Sequence, residues 1–452
     1  MRLRKTITTI VATAILLAGW QLFAVIANQP ELIPSLPRLV RTLCEWLVSG
    51  SFYQSVGATI LRGVLGMSIS FVCAIGMAGL FARFEWVYEL FRPLLAIMRS
   101  IPVISFILLA LIFLNPESIP LMIAFLTMFP LLTENLTRGI LDLRPGLSIM
   151  ARQFHIRRSN VLFQIIYPQL KPFLYSGLAS AAGFGWRAII MGEVLSQCAF
   201  GIGSEMKRAQ NFIAVPELLA WTIVAVFISF FFDKGISKVA DITPKISFAN
   251  EDQTIPTPTL SVLDTKDISY QYGIQHFSHS FQKGIIYGIS APSGKGKTTL
   301  LNLIGGILLP TEGEIHPTRH FGIATIFQQP QLLPHLTAEE NIILPLSSFL
   351  TEEKARRIAQ KHLQEMEMEP FGNRYPKELS YGQQQRIAIA RALAYPSPPL
   401  LMDEPFKGLD EALSHRIIER IREKQMKEER IILFTSHNPD EIRLLADEVI
   451  YL

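Results

Sequence analysis

Cysteine and charge are what this 452-residue chain has least of. Its three cysteines, Cys44, Cys73 and Cys198, have no paired spacing and no histidine cluster beside them, which excludes a zinc site and a disulfide framework. They read as packed apolar thiols. Charged residues make up 18% of the chain, against about 25% in ordinary soluble domains. The shortage is uneven. Residues 1–250 hold 21 Lys/Arg and 12 Asp/Glu, a net of +9, whereas residues 251–452 hold 21 and 26, a net of −5. So thin a charge excludes a wholly soluble first half, and 49% hydrophobic residues exclude a disordered chain. The acidic second half excludes nucleic acid as a partner, because such binders present a basic face.

What fills the first half is apolar. Residues 6–30 contain no charged residue and are long enough to cross a hydrocarbon core of ~30 Å, for which about 20 helical residues suffice. Further runs occupy 63–82, 100–116, 118–133, 173–195 (interrupted by Arg187) and 218–232, making six spans in a lipid bilayer. The positive-inside rule agrees with this number. Arg2, Arg4 and Lys5 precede the first span; Arg83, Arg92 and Arg99 follow the second; Arg138, Arg144, Arg152, Arg157, Arg158 and Lys171 follow the fourth; the intervening connections are poorer in basic residues. The N-terminus and the second half are therefore expected in the cytoplasm. The basic start and Val25-Ile26-Ala27 resemble a cleaved leader, but the run is longer than a leader's 7–15 apolar residues and more spans follow, so it is expected to remain as a span. Arg187 attracts an anionic solute, pairs with Glu193 on the same helix, or snorkels toward the interface. Prolines and polar residues at 241–260 mark an exposed linker. The expected domains are a membrane domain at 1–240, the linker at 241–260, and a soluble domain at 261–452.

The second half carries phosphate chemistry. An apolar strand ending at Ser290 leads into Ala291-Pro292-Ser293-Gly294-Lys295-Gly296-Lys297-Thr298-Thr299 and then a helical run. Strand, glycine-rich loop and helix make a P-loop, whose backbone N–H groups and helix dipole cradle phosphates. Lys297 reaches the β/γ-phosphates and Thr298 ligates Mg²⁺. Ala291 stands where the motif begins with glycine, and a positive φ there would cost about 1 kcal/mol. A second apolar strand ends in Asp403 and Glu404. Placed beside the P-loop strand, it would bring Asp403 to the metal and Glu404 to an attacking water as general base. Leu379-Ser380-Tyr381-Gly382-Gln383 opens another helix with a serine and a glycine, a second anion-binding N-terminus.

In this order and spacing the motifs resemble the ABC transporters. The segment at Leu379 is similar to the ABC signature, with Tyr381 replacing its first glycine and Ser380, Gly382 and Gln383 retained. The resemblance implies a Q-loop glutamine at Gln328 that also serves the metal, a switch histidine at His437, and a D-loop aspartate at Asp410. It also implies an adenine-stacking aromatic at Tyr272, with Tyr270 as the other candidate. Residues 151–178 resemble the cytoplasmic coupling segment of importer permeases of the nitrate/sulfonate/taurine type, a group that includes thiamine-precursor importers. Tyr167-Pro168, Pro172, Gly177, Gly185-Trp186, Glu193 and Gly201-Ile202-Gly203 fit that group, while Ile149 and His155 stand where it has glutamate and glycine.

The resemblance implies an all-α six-helix transmembrane bundle followed by an α/β P-loop ATPase, fused where the group usually has separate chains. It implies ATP and Mg²⁺ as cofactors and catalysis by Glu404, His437 and Gln328. It further implies a homodimer with ATP sandwiched between the P-loop of one copy and the signature of the other, an extracytoplasmic solute-binding protein as partner, and the bacterial inner membrane as location. Two other readings fit part of the pattern. Exporter half-transporters extend their helices far into the cytoplasm, whereas the ATPase here begins near residue 260. A non-transporting membrane ATPase would accommodate Ala291 and the unusual Lys407-Gly408-Leu409-Asp410 loop.

Overall fold

The computed structural model describes residues 2–240, 244–253, 260–271, 273–292, 294–317 and 322–452. They form two compact units, Met1–Leu143 with Gln169–Thr243, and Arg144–Pro168 with Pro244–Leu452.

The first unit is helical. Gly50–Arg83, Pro116–Leu141, Arg158–Ser196 and Val215–Ala240 are each long and apolar enough to cross a membrane. The apolar stretch Val11–Ala27 ends the helix Arg2–Ala27. The run at 100–116 differs from its expectation as a separate span. Its helix, Val103–Phe113, has 11 residues and reaches about 16 Å. It instead forms a bent pair with Glu85–Ser100, turning by 95°. Pro102 supplies the break, since it lacks an N–H and disfavours helix in the residue before it. Helix Gly50–Arg83 buries a stripe of small residues, Ser55, Thr59, Gly63, Gly66, Ser70, Ala74 and Ala78. That spacing lets helices approach where lipid provides no hydrophobic drive. Gly66 lies against Ala124, and Gly63 against the Trp186 ring. Of the thiols, Cys198 alone is buried; Cys44 and Cys73 are exposed on their helices rather than packed.

The second unit holds two sheets. A three-stranded antiparallel sheet has the order β2-β1-β4, from β1 (Val262–Tyr270), β2 (Ile274–Gln282) and β4 (Glu312–His316). A five-stranded parallel sheet has the order β5-β6-β7-β3-β8, from β3 (Ile286–Ser290), β5 (Ala324–Ile326), β6 (Pro399–Asp403), β7 (Ile431–Thr435) and β8 (Glu448–Tyr451). Strands β6 and β7 are buried throughout, as near-continuous apolar runs in a covered parallel sheet must be. The strand carrying Asp403 does not lie beside the P-loop strand; β7 comes between them.

Residues 144–168 fold with this second unit, not with the membrane helices that flank them in sequence. Helix Pro145–Gln153 and the turn after it bury Leu147, Met150, Phe154 and Ile156 in one core with Ile326, Leu333, Leu346 and Tyr395. Part of the 241–260 stretch is likewise docked, with Ser247 N donating to Asn160 Oδ1 at 2.8 Å and Phe248 packed against the same core.

Candidate functional site

The loop after β3 turns through Gly294 at φ +81° and Gly296 at φ +90°, backbone that side chains resist. Gly296 is confined as well, because a Cβ there would stand 2.8 Å from the Gly273 carbonyl. Ala291, by contrast, is not among the positive-φ residues, so the expected strain at that departure does not arise. Helix Lys297–Ile304 starts at once, and Lys297, 7% exposed, folds back so that Nζ donates to Ala291 O at 2.6 Å. Lys295 is exposed on the loop, and Thr299 is half-buried in the first turn. Tyr272 and Ser293 lie outside the described residues. Tyr270, the other candidate aromatic, ends β1 opposite Ile274.

Thr298 Oγ1 donates to Asp403 Oδ2 at 3.0 Å, so the two proposed metal ligands meet although β7 separates their strands. Thr435 makes this possible. It pairs in register with both Ile289 and Asp403, and its hydroxyl donates to Asp403 Oδ1 at 2.8 Å and accepts from Glu404 N at 3.1 Å. Sequence reasoning passed over this threonine. Its only signal was its place two residues before His437 at the end of an apolar strand. Burial pushes the Asp403 carboxyl above its ordinary range, opposed by the hydrogen bonds from Thr435 and Thr298.

Glu404 follows with φ 48°, a left-handed backbone for a non-glycine residue of the kind stored at functional sites. Gln328 Nε2 lies 3.4 Å and His437 Nε2 3.1 Å from Glu404 Oε1, and Lys407 Nζ lies 3.1 Å from Oε2. Burial pushes this carboxyl up, but the hydrogen bond and charge of Lys407, with His437 and Gln328, hold it below the usual carboxylate range. The three residues expected to be catalytic thus converge, with Lys407 as an unforeseen fourth.

The signature residues are engaged locally. Ser380 caps helix Tyr381–Ala394, accepting from Gln383 N at 3.3 Å while Gln383 Oε1 accepts from Ser380 N at 2.9 Å. Asp410 caps helix Glu411–Glu428 by accepting from Leu413 N. Tyr381 OH donates to Gln328 O at 2.8 Å. Gly408, at φ +79°, lies beneath the Tyr381 ring, where a Cβ would come within 2.7 Å of Cδ1. Gly382 in turn sits close against Gly408 O. The bulky signature residue Tyr381 and the glycine of the unusual 407–410 loop fit each other. No hydrogen bond among the described residues joins Ser380, Gly382 or Gln383 to the P-loop.

The site is tied to the segment 144–168. Arg391 donates to Pro330 O and Gln331 O, each at 2.8 Å, just past Gln328, and its guanidinium lies 5.3 Å from the Phe154 ring centroid. Burial pulls the Arg391 pKa down to about 9. Gln153 Nε2 donates to Gly305 O at 2.7 Å, at the end of the P-loop helix.

In the first unit, Glu193 is fully buried. It accepts from Arg62 Nη1 at 2.7 Å, from Thr59 Oγ1 at 2.9 Å and from Gly203 N at 2.9 Å. Arg62 also reaches Glu117. The expected alternative of an Arg187–Glu193 pair is therefore wrong, because Arg62 holds that carboxylate. Arg187 itself has no hydrogen-bond or ion-pair partner among the described residues.

A P-loop, a hydroxyl–carboxylate pair at its helix and a carboxylate ringed by glutamine and histidine define a nucleotide-binding domain, here on one chain with a helical membrane domain. Residues 274–407 match the model of the family described as ABC transporter, and residues 68–233 match that described as binding-protein-dependent transport system inner membrane component. The thiamine import ATP-binding protein ThiQ of Yersinia pseudotuberculosis is 34% identical over 42% of this chain and 86% of its own length. An ABC transporter ATP-binding protein of Methanocaldococcus jannaschii is 34% identical over 40% of this chain and 85% of its own. The Fe(3+) ions import ATP-binding protein FbpC of Rhizobium etli is 35% identical over 40% of this chain, which spans only 54% of that protein's length. A dimeric post-hydrolysis ATP-binding cassette bound to ADP and Pi covers 42% of the chain at a TM-score of 0.40 and 32% identity. The chain belongs to the ABC transporter family. The match of residues 68–233 to the inner membrane component of a binding-protein-dependent transport system favours neither the exporter reading nor the non-transporting one.

Proposed function

We propose that this chain is a fused permease and ATPase that uses ATP to import a small solute across a bacterial inner membrane. The observation that carries the reading is the convergence of Gln328, His437 and Glu404 one residue from the Asp403–Thr298 pair at the P-loop, in a chain whose other half matches an importer membrane component.

In this reading Ser293, Gly294, Lys295, Gly296, Lys297 and Thr299 bind the phosphates, and Tyr272 stacks on adenine. Thr298 and Asp403 suit a magnesium ion: they offer hard oxygen donors, and no cluster of three or more His, Cys, Asp or Glu among the described residues suggests a protein-only cage. With Gln328 they would hold it, and it would neutralise charge on the β- and γ-phosphates. Glu404 takes the proton of the attacking water, and its low pKa keeps it ionised. His437 keeps that carboxylate aimed. Each chain carries one P-loop and one signature, so Ser380, Gly382, Gln383 and Asp410 of a second copy complete each site, and a homodimer is the simplest closed arrangement. Closure on ATP is a population shift passed to the membrane helices through residues 144–168. An extracytoplasmic binding protein delivers the solute, a sulfonate- or nitrate-like anion or a thiamine-precursor pyrimidine.

Glu404→Gln tests the reading in proteoliposomes. The variant is expected to bind ATP as the wild type does and to lose at least about 100-fold in turnover, the general-base contribution. Hydrolysis at the wild-type rate would refute the role of Glu404.

A further inference from the structure

The first unit contains a cavity of about 630 Å³ that nothing above uses. Its walls are apolar, with Ile104, Trp186, Ile190 and Val226 among them, and Arg187 is the charged residue in its lining. Helix Arg158–Ser196, long and apolar enough to cross a membrane, carries Arg187 nine residues before its end. A cation within such a span is expensive unless it is paired or faces a polar cavity. Arg187 is exposed, has no partner among the described residues, and the carboxylate on its own helix, Glu193, is already held by Arg62. Ser229 on the facing helix also has no hydrogen-bond partner among the described residues.

We propose that this cavity is a binding site for a small amphipathic organic anion, its acidic head at Arg187 and its apolar body along Trp186, Ile190 and Val226. Charge complementarity selects the sign, because a guanidinium fork accepts a carboxylate or a similar planar anion by two parallel hydrogen bonds. The size selects a small molecule, since cavities of 300–1,000 Å³ with a few polar groups suit such ligands. The site stands on its own geometry; calling the anion cargo rests on the transport reading, where it selects the anionic solutes over a pyrimidine.

The test uses the full chain in phosphatidylcholine nanodiscs without nucleotide, with 2-naphthoate as probe and the neutral 2-naphthamide as its match. Saturable naphthoate binding above empty discs is expected. Arg187→Gln is expected to weaken it about tenfold or more while leaving naphthamide unchanged, with Arg187→Lys intermediate. Ala225→Trp, which fills the cavity, is expected to abolish both. Equal naphthoate affinity in Arg187→Gln, no saturable binding, or naphthoate displaced by phosphatidylglycerol in the disc overturns the proposal, the last by making the occupant a lipid headgroup. ATP hydrolysis by the wild type in the same discs is measured separately; its absence would overturn the ATPase reading without touching this one.

Discussion

Lys407 is the residue whose consequence is easiest to measure. It is the cation that draws the Glu404 carboxyl below its ordinary pKa, while burial alone would raise it. Removing it by Lys407→Ala leaves burial less opposed, so the Glu404 pKa rises. A general base loses activity as pH falls through its pKa, so the acid limb of the ATPase profile is expected to move to higher pH; an unmoved limb would show that Lys407 does not tune the base. Tyr381, which replaces a signature glycine, packs against Gly408. Gly408→Ala places a methyl group against the Tyr381 ring at a φ of +79°, and a loss of about 1–3 kcal/mol is expected from overpacking plus strain. Tyr381→Gly removes the steric part, so the double variant is expected to recover some of that loss in thermal melts, and additive effects would deny the contact. Contiguous motifs made Lys297, Thr298, Asp403 and Glu404 legible in the sequence. Thr435 and Lys407 were not, because a bridging hydroxyl and a neighbouring cation acquire meaning only when β7 lies between β3 and β6 and the loop after Glu404 turns back on it.

Among the elements, the segment 144–168 departs most from its sequence reading. It is expected as a cytoplasmic coupling segment of the membrane domain at 1–240, yet Leu147, Met150, Phe154 and Ile156 are core residues of the nucleotide-binding unit. Hydropathy cannot distinguish a side chain buried in protein from one buried in lipid, so the boundary was not visible in composition. The turn that ends helix Pro145–Gln153 explains a family glycine. His155 sits there at φ 44°, with Ile156 N donating to Ala151 O at 3.0 Å. Histidine tolerates the left-handed region better than a β-branched residue does. His155→Val is expected to lower stability by about 1–2 kcal/mol, and His155→Gly to be nearly neutral. Melting of the purified chain checks this, and equal melts for the two variants would show that the backbone there is free to adjust. The bent pair Glu85–Ser100 and Val103–Phe113 shows the opposite case, a break announced in the sequence by Pro102 and overlooked in favour of the length of the apolar run.

For the whole molecule, fusion fixes one membrane domain to each ATPase and holds the pair at high effective concentration without an interface to maintain it. If the two nucleotide sites of a dimer close together, one defective P-loop must silence both. Co-reconstituting Lys297→Ala with an equal amount of wild type is then expected to depress ATPase activity below half of the all-wild-type value, because mixed dimers form. Activity at half would mean that each site works independently of the other. The hydrophobic pattern and charge bias made the membrane half legible, but not its internal chemistry. The Glu193–Arg62–Thr59 network, and an Arg187 unpaired among the described residues, depend on which helix faces which.

The hydrogen bond from Gln153 to Gly305 gives the P-loop helix a second job. Lys297–Ile304 is a stiff rod about 12 Å long, with the lysine at one tip and the carbonyl grasped by Gln153 just past the other. A tug on the lysine tip therefore arrives at Gln153 as a displacement of the rod, like a bell-pull, with no chain of side chains needing to reorient in between.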